Sequence, residues 1–437
     1  MTRAAKFVGH GLLPAPAYRR GGDFIFVSSI HPLTADGVLP RPGGASPWVG
    51  ESIVGVQTRT VLDNLDAVLR EAGSGLDRVV RVEVQLADAT DFPEFKHAYA
   101  EVFPVDPPAR TTIVVGDEHL VDGARLNLHA VALAADSLYR PETVTSDGVP
   151  DPLDAEHAAL AVKAGPFVFC SGLPATDYRT GLAVTTQAGA YHGSDAALQA
   201  KYVIDNLEKV LIAAGSSLDS GLKVHFYQPD LRTFPIVDRE WGERVGVPPT
   251  RSSMSCRGLL VPGAMWIANL LALVPGRGLE KRETRQGIAW HPVDAGKANF
   301  SPGIRAGQWL FTAGQVPVPD IGKHEWVGAP RGLPNHWSDI ELQTDYTMSL
   351  LGDQLQANGF GLEDIVDARI YLARPRRDFR GFARAWNRVF DGASNRPAMS
   401  IIPSTQADGS DGLMIQGPTI EIDLTATVTM TAEAVPR

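Results

Sequence analysis

The chain has 437 residues, 44% of them hydrophobic, and a formal net charge of −10 at pH 7. At about 150 residues per domain this length suggests three domains, with apolar content enough to bury real cores. The acidic balance, with a pI near 5.6, argues against a nucleic-acid partner, and the densest basic cluster (Arg374, Arg376, Arg377, Arg380, Arg384) is diluted by Asp378 and aromatics into a solvated helix entry.

Phe24–Ser29 reads as an apolar strand. A helix follows, in which Val61, Leu62, Leu65, Val68 and Leu69 recur at helical spacing and Gly73 stands where a left-handed cap would end it. Val80, Val82, Val84 and Leu86 then alternate with Arg81, Glu83 and Gln85, the period of a strand with one buried face. A second helix over Phe92–Phe103 and two strands, Arg110–Val115 and Arg125–Ala134, complete the unit. After the Pro-bearing stretch Asp136–Asp154 the series begins again with Phe167–Ser171, a helix from Gln199 to Gly215, a weaker strand around Val224 and Phe226 closed by Pro229, and a helix over Phe234–Val245. A second polar stretch, Pro275–Pro292, precedes Trp309–Ala313, the helix from Gln343 to Gly359, the alternating strand Val366, Ala368, Ile370 and Leu372, and the helix Phe379–Phe390.

The glutamines and the capping glycines each recur after 142 and then 144 residues, a register that chance does not hold. The chain is therefore expected to be three tandem copies, over residues 1–140, 141–277 and 278–437. Each copy is an α/β (α+β) unit whose mixed sheet carries two helices on one face. The bare sheet faces need cover, and sister sheets can supply it. No apolar run approaches the roughly 20 residues that span a bilayer, and Met1–Phe7 lacks the stretch a secretory leader needs. Cys170 and Cys256 alone make no disulfide framework or zinc site, and the histidines, His10, His31, His157, His192 and His336 among them, lack metal-ligand spacing. The expectation is a cytoplasmic protein with no metal, no cofactor, no membrane and no nucleic acid.

Several marks recur in order in the copies. In the first they are Phe26-Val27-Ser28-Ser29, Gln57 through Asn64-Leu65 to Ala72-Gly73, Asp91-Phe92 and Pro108-Ala109-Arg110. The second has Phe169-Cys170-Ser171-Gly172, Gln199 through Asn206-Leu207 and Pro249-Thr250-Arg251; the third has Phe311-Thr312-Ala313-Gly314-Gln315, Asp378-Phe379, Pro397-Ala398 and Thr419-Ile420-Glu421-Ile422-Asp423. With these marks each copy resembles the YjgF/RidA superfamily, often described as reactive-intermediate deaminases. The resemblance implies a trimer-like arrangement, sheets facing one another as a barrel with helices outside and ligand clefts between neighbours. Here it would form within one chain, as a monomeric pseudo-trimer that could pair further into a homodimer.

The resemblance also implies an arginine after Pro-x that clamps a substrate carboxylate and a last-strand glutamate that moves a proton or positions water. Carried over by position, the arginine slots hold Arg110, Arg251 and Met399, with Arg396 as a displaced candidate. The glutamate slots hold Asn127, Ala268 and Glu421. The tyrosine slots hold Tyr18, a position near Ala158, and Phe300, and the first-strand serine is Ser28, Ser171 and then Ala313. Ser171-Gly172 would complete a cleft. Arginine and glutamate slots are expected on adjacent strands of one hairpin, so no copy holds a complete pair. His129, expected beside Asn127 and Arg125, is a replacement acid–base candidate. The copy-three segment from Gly328 to Trp337 reads as an insertion, either a lid or a surface loop.

These residues support three functions. The first is a hydrolase acting on a small carboxylated imine, enamine or related intermediate, with Arg110 or Arg251, Ser28, Ser171, Gly172 and Tyr18 binding and Glu421, His129 and Asn127 catalytic. The second is a repurposed enzyme resembling the chorismatases, doing enol-ether hydrolysis or a lyase step. The third is a binding protein without catalysis.

Overall fold

In the computed structural model of the chain the described residues are 12–43, 50–186, 193–288, 299–319, 325–329, 338–393 and 395–428. The calls on His10, His192, His336 and most of the Gly328–Trp337 insertion lie outside them.

The first copy runs β1 (Tyr18–Gly21), β2 (Phe24–Ile30), α1 (Ile53–Glu71), β3 (Val79–Leu86), α2 (Phe92–Val102), β4 (Ala109–Val114) and β5 (Leu126–Leu133). The stretch between copies forms β6 (Glu142–Val144) and α3 (Leu153–Glu156). The second copy is β7 (Ala161–Ala164), β8 (Phe167–Cys170), α4 (Asp195–Ala213), β9 (Gly221–Gln228), α5 (Phe234–Gly242), β10 (Thr250–Ser255) and β11 (Ile267–Leu273). The third is β12 (Lys281–Thr284), β13 (Gly303–Ala306), β14 (Trp309–Thr312), α6 (Asp339–Ala357), β15 (Ile365–Leu372), α7 (Pro375–Val389), β16 (Ala398–Pro403) and β17 (Ile420–Thr427). The charged run Glu280–Glu283, read as a boundary loop, instead contributes to edge strand β12, paired to β13.

Local chemistry explains the long helices. Ser52 Oγ accepts from Gly55 N at 2.9 Å and caps α1; Ser194 does the same for α4. At the other ends Gly73, Gly215 and Gly359 adopt φ of 67°, 77° and 78°. The residue after each glycine returns its N–H to the helix, Ser74 to Leu69 O, Ser216 to Leu211 O and Phe360 to Leu355 O. The buried stripe Val61, Leu62, Leu65, Val68 and Leu69 lies against the sheet, as its spacing predicts.

Among the described residues the strands form three mixed sheets, ordered β1-β2-β5-β3-β4, β10-β9-β11-β8-β7-β6 and β12-β13-β14-β17-β15-β16. In each, the arginine-slot strand is parallel to its neighbour and lies at the sheet edge, with β3, β9 or β15 between it and the last strand. The expectation of a hairpin joining arginine and glutamate slots is therefore wrong. A crossover through α2 or its equivalent explains why: a parallel strand cannot be reached by a tight turn.

Each edge strand meets the next copy. Arg110 N donates to Ser171 Oγ at 2.8 Å, Gly314 N to Arg251 O at 3.1 Å and Met399 N to Ser28 Oγ at 2.9 Å. First to second, second to third and third to first, the contacts close a cycle. Helices cover the outer sheet faces, and the inner faces pack on one another. No helix among the described residues is long and apolar enough to cross a membrane.

Candidate functional site

Strand register fixes which residues are equivalent. Val82 lies opposite Arg110, Val224 opposite Arg251 and Ala368 opposite Met399. Counting from there, Asn127 faces Gln85, Ile267 faces Tyr227 and Glu421 faces Tyr371. The second-copy glutamate slot is thus Ile267, one residue from the expected Ala268. Ala268 turns to the other sheet face and packs with Trp241 and Trp266 under the helices. A one-residue slip exchanges faces in any strand. Likewise Tyr18 pairs as Ala161 and Gly303 do, and Tyr18 Oη donates to Glu71 O at 3.4 Å, at the C-terminal end of α1. It does not share a slot with Ala158 or Phe300.

At the first-to-second junction Arg110 is 1% exposed. Its Nε donates to Thr112 Oγ1 at 3.0 Å, Nη1 to His157 O at 3.2 Å and Nη2 to Glu156 O. Rings of Phe92, Phe95 and Tyr99 stand 5.1–5.5 Å from the guanidinium carbon. Every nitrogen of the fork is engaged, leaving no bidentate face for a carboxylate. His157 and Tyr178, at φ of 55° and 60°, hold left-handed backbone here. Burial raises the Glu156 carboxyl and lifts the Tyr178 phenol well above its usual range. Ser171 Oγ donates to Ala159 O at 2.6 Å, and a Cβ on Gly172 would meet Thr111 Cγ2 at 2.7 Å, so both serve close approach of the copies. A mainly apolar cleft of about 400 Å³, counting its open mouth, lies beside them, with Tyr178 and Asn206 among its lining.

At the third-to-first junction the arginine slot holds Met399. Met399 is fully buried in a hydrophobic core, and Arg396 turns away to Asn387 Oδ1 and Pro14 O. Ser28 Oγ donates to Pro16 O at 2.6 Å. Asn127 Nδ2 lies 3.4 Å from His119 Nδ1, and burial lowers the His119 imidazole to about 3.

The second-to-third junction differs. Arg251 Nη1 donates to Asp238 Oδ1 at 2.5 Å and to Asn299 O at 3.4 Å, and among the described residues its hydrogen bonds run through Nη1 alone. Phe226, Phe234 and Phe300 present rings 4.9–5.1 Å from its guanidinium carbon. Its backbone carbonyl accepts from Gly314 N, and Glu421 Oε1 occupies the space at Gly314, 1.8 Å from where a Cβ would be. The Arg251 backbone carbonyl and the Glu421 carboxylate, contributed by different copies, thus both adjoin Gly314, and the two side-chain charges act on each other across the junction without a direct ion pair among the described residues. Among the described residues no hydrogen-bond donor reaches the Glu421 carboxylate. Burial, reinforced by the Asp423 charge and opposed by Arg251, pushes its carboxyl up to about 8.

The remaining polar candidates converge on the axis between the sheets, in layers. Phe24, Phe167 and Trp309 make mutual ring contacts at 5.5–6.1 Å. Phe26, Phe169 and Phe311 come next on the same strands, level with Arg81, Lys223 and Asp367; then come Glu83, His225 and Arg369, then Gln85, Tyr227 and Tyr371. Arg369 grips Glu83 with two bonds of 2.9 and 2.7 Å, and also donates to Tyr227 Oη, Tyr371 Oη and His129 Nε2. Tyr371 Oη and Ser252 Oγ donate to Asp423 Oδ2, and Lys223 pairs with Asp423. His129 faces this network and not Arg125: its Nε2 accepts from Arg369 Nη1 at 2.7 Å, and burial lowers its pKa. Arg125 pairs with Asp91 at 2.6 Å. His129 and Asp423 therefore belong to an ionic core on the axis instead of a junction cleft.

The basic cluster is largely paired, Arg374 to Asp411, Arg376 to Asp122, Arg377 to Asp378 and Arg384 to Glu341. Burial pushes the Cys170 and Cys256 thiols up to about 12, so neither supplies a thiolate. Sequence reasoning did not single out Glu156, Tyr178, Asp238 or the Glu83–Arg369 pair. Only Gly314 carried a signal, as the small residue after the first strand of the third copy.

A family model described as Endoribonuclease L-PSP matches residues 23–134 and 293–428, in the first and third copies. The mitochondrial protein mmf1 of Schizosaccharomyces pombe is 39% identical over 105 residues, 23% of this chain and 65% of its own length. The 3-aminoacrylate deaminase RutC of Acinetobacter baylyi is 31% identical over 105 residues, 24% of this chain and 76% of its own length. A chorismatase crystal structure covers 80% of this chain and 93% of its own at 13% identity, with a TM-score of 0.46.

Proposed function

This chain belongs to the Endoribonuclease L-PSP family, and from that premise we propose that it hydrolyses a small carboxylated imine or enamine at the junction of its second and third copies. One observation carries the reading. Arg251 and Glu421, which no single copy holds together, adjoin across that junction, each with polar atoms unengaged among the described residues.

The chemistry follows from those groups. The Arg251 nitrogens not bonded to Asp238 take the substrate carboxylate, and Asp238 fixes the fork's orientation. Glu421, kept protonated near neutrality by burial, gives its proton to the imine nitrogen. Water then adds to the imine carbon, and the resulting carboxylate accepts a water proton. A second transfer to nitrogen expels ammonia as the C–N bond breaks, and the carbinolamine hydroxyl returns its proton to the Glu421 carboxylate as the carbonyl forms. Gly314 leaves room for the carboxyl to swing between nitrogen and water.

The test is ammonia release from an imino acid generated in situ by an amino-acid oxidase. Arg251→Lys and Glu421→Gln should each lower the rate by about 100-fold or more while circular dichroism is unchanged. Wild-type release from both variants would overturn the assignment.

A further inference from the structure

A cavity of about 420 Å³, counting its mouth, lies on the axis between the sheets, away from the three junctions. Phe24, Phe167 and Trp309 line it, Phe26, Phe169 and Phe311 stand level with Arg81, Lys223 and Asp367, each pair flanking one residue of the last strand, and His225 and Arg369 complete the lining. Arg81, Lys223 and Asp367 occupy equivalent positions on β3, β9 and β15 but differ in their commitments. Lys223 is engaged by Asp423 and by Leu424 O at 3.0 Å. Asp367 is 6% exposed, and among the described residues its carboxylate has neither a hydrogen bond nor a cation within 4.0 Å. Arg81 makes no hydrogen bond among the described residues. The acid nearest to it, Glu83 at 3.5 Å, is already gripped by Arg369 through both oxygens.

A buried carboxylate without a partner is costly, and so is a buried guanidinium whose donors go unused. A lone cation would answer Asp367 and leave Arg81; a lone anion would do the reverse. A small molecule carrying both charges answers both; the Arg81 guanidinium already stands 5.8 Å from the Phe169 ring centre, and the rings of Phe26 and Phe311 favour an ammonium beside them. We infer that the axial cavity is a separate ligand site that takes the zwitterion of a small α-amino acid, its carboxylate toward Arg81 and its ammonium toward Asp367. A symmetric homotrimer could not build it, because a threefold axis would repeat one charge three times. The site exists because the copies are joined and have diverged.

The experiment is isothermal titration calorimetry of the full chain with L-alanine, alongside propionate and ethylamine. One saturable site per chain is expected for alanine, with each half-molecule at least about tenfold weaker. Asp367→Asn and Arg81→Met should each weaken alanine by about tenfold or more. Neither is expected to unfold the protein, since Asp367 has no hydrogen bond or ion pair within 4.0 Å among the described residues and Glu83 keeps both bonds from Arg369 when Arg81 is lost, and Phe311→Trp, which fills the cavity, is a third check. Arg251→Lys should leave alanine binding intact, so failure here is distinguishable from failure of the hydrolase reading. No saturable heat, meaning ordered water only, overturns the inference. So does ethylamine binding as tightly as alanine, or alanine binding that is lost in Arg251→Lys and kept in Asp367→Asn.

Discussion

Replacing Glu421 by glutamine tests both the energetics of the second-to-third junction and its proposed chemistry. Burial raises this carboxyl from its ordinary 4.5 to about 8. The folded state therefore holds the proton more tightly than the unfolded chain does. The resulting stability is fully present below about pH 4.5 and is lost progressively as pH rises to about 8. At about 1.4 kcal/mol per pH unit, the loss across that window has a ceiling of about 5 kcal/mol, because relaxation and entering water return part of any burial penalty. Glu421→Gln keeps the shape and hydrogen-bonding capacity but cannot ionise. Urea denaturation near pH 5, 7 and 9 should then show the variant matching the wild type at the acid end and exceeding it by several kcal/mol at the alkaline end. Wild-type turnover should fall as pH passes about 8, since the proton donor is lost. A stability gap between the two proteins that stays constant with pH would refute the reasoning, and with it the acid of the proposed mechanism.

Gly314→Ala should move the Glu421 carboxyl, because the new Cβ would fall 1.8 Å from Oε1; ammonia release should drop by about tenfold or more with stability changed by only about 1–3 kcal/mol. Arg110→Met should cost about 3 kcal/mol or more in urea denaturation, since Glu156 O, His157 O and the Glu156 carboxylate lose their donor, yet leave turnover near wild type. Loss of turnover in a folded Arg110→Met chain would move the reaction to the first-to-second junction.

Much of the fold is legible in the sequence because helix stripes, capping glycines and period-2 strands are local signals, and a thrice-repeated register multiplies them. The junction chemistry is legible only in part. The residue types at Arg251 and Glu421 are visible, but their meeting depends on β9 and β15 lying between the slot strands and on the edge strand reaching the next copy. No local pattern encodes that pairing. Ala268 illustrates the same limit: Trp266, Ala268 and Leu270 alternate as a plausible cleft face, and only the pairing with β9 shows that Ile267 holds the slot. Arg110 shows another. Its position is that of a ligand clamp, but what occupies the clamp is the turn at Glu156–His157, which lies in the linker between copies.

The ionic core is where joining the copies matters most. In the layer of Glu83, His225 and Arg369 a homotrimer would place three identical groups, and three carboxylates or three guanidiniums at such range repel by several kcal/mol in a medium that water cannot screen. The chain instead sets Arg369 against Glu83 with two charge-assisted bonds, and Tyr227 Oη donates to the same carboxylate at 3.2 Å. Breaking this pair from one side leaves a buried charge without its partner, which costs about 3–5 kcal/mol. Glu83→Arg adds a repulsive contact with Arg369 to that loss and should leave little folded protein. Arg369→Glu should do the same against Glu83 and Asp423. The double exchange, Glu83→Arg with Arg369→Glu, restores opposite charges across the axis. Relative to the sum of the single losses it should recover about 2 kcal/mol or more, read as the coupling term of a double-mutant cycle in urea denaturation. If the double variant is as unstable as the singles add up to be, the two residues are not acting on each other, and the pairing does not explain why the copies diverged at this layer.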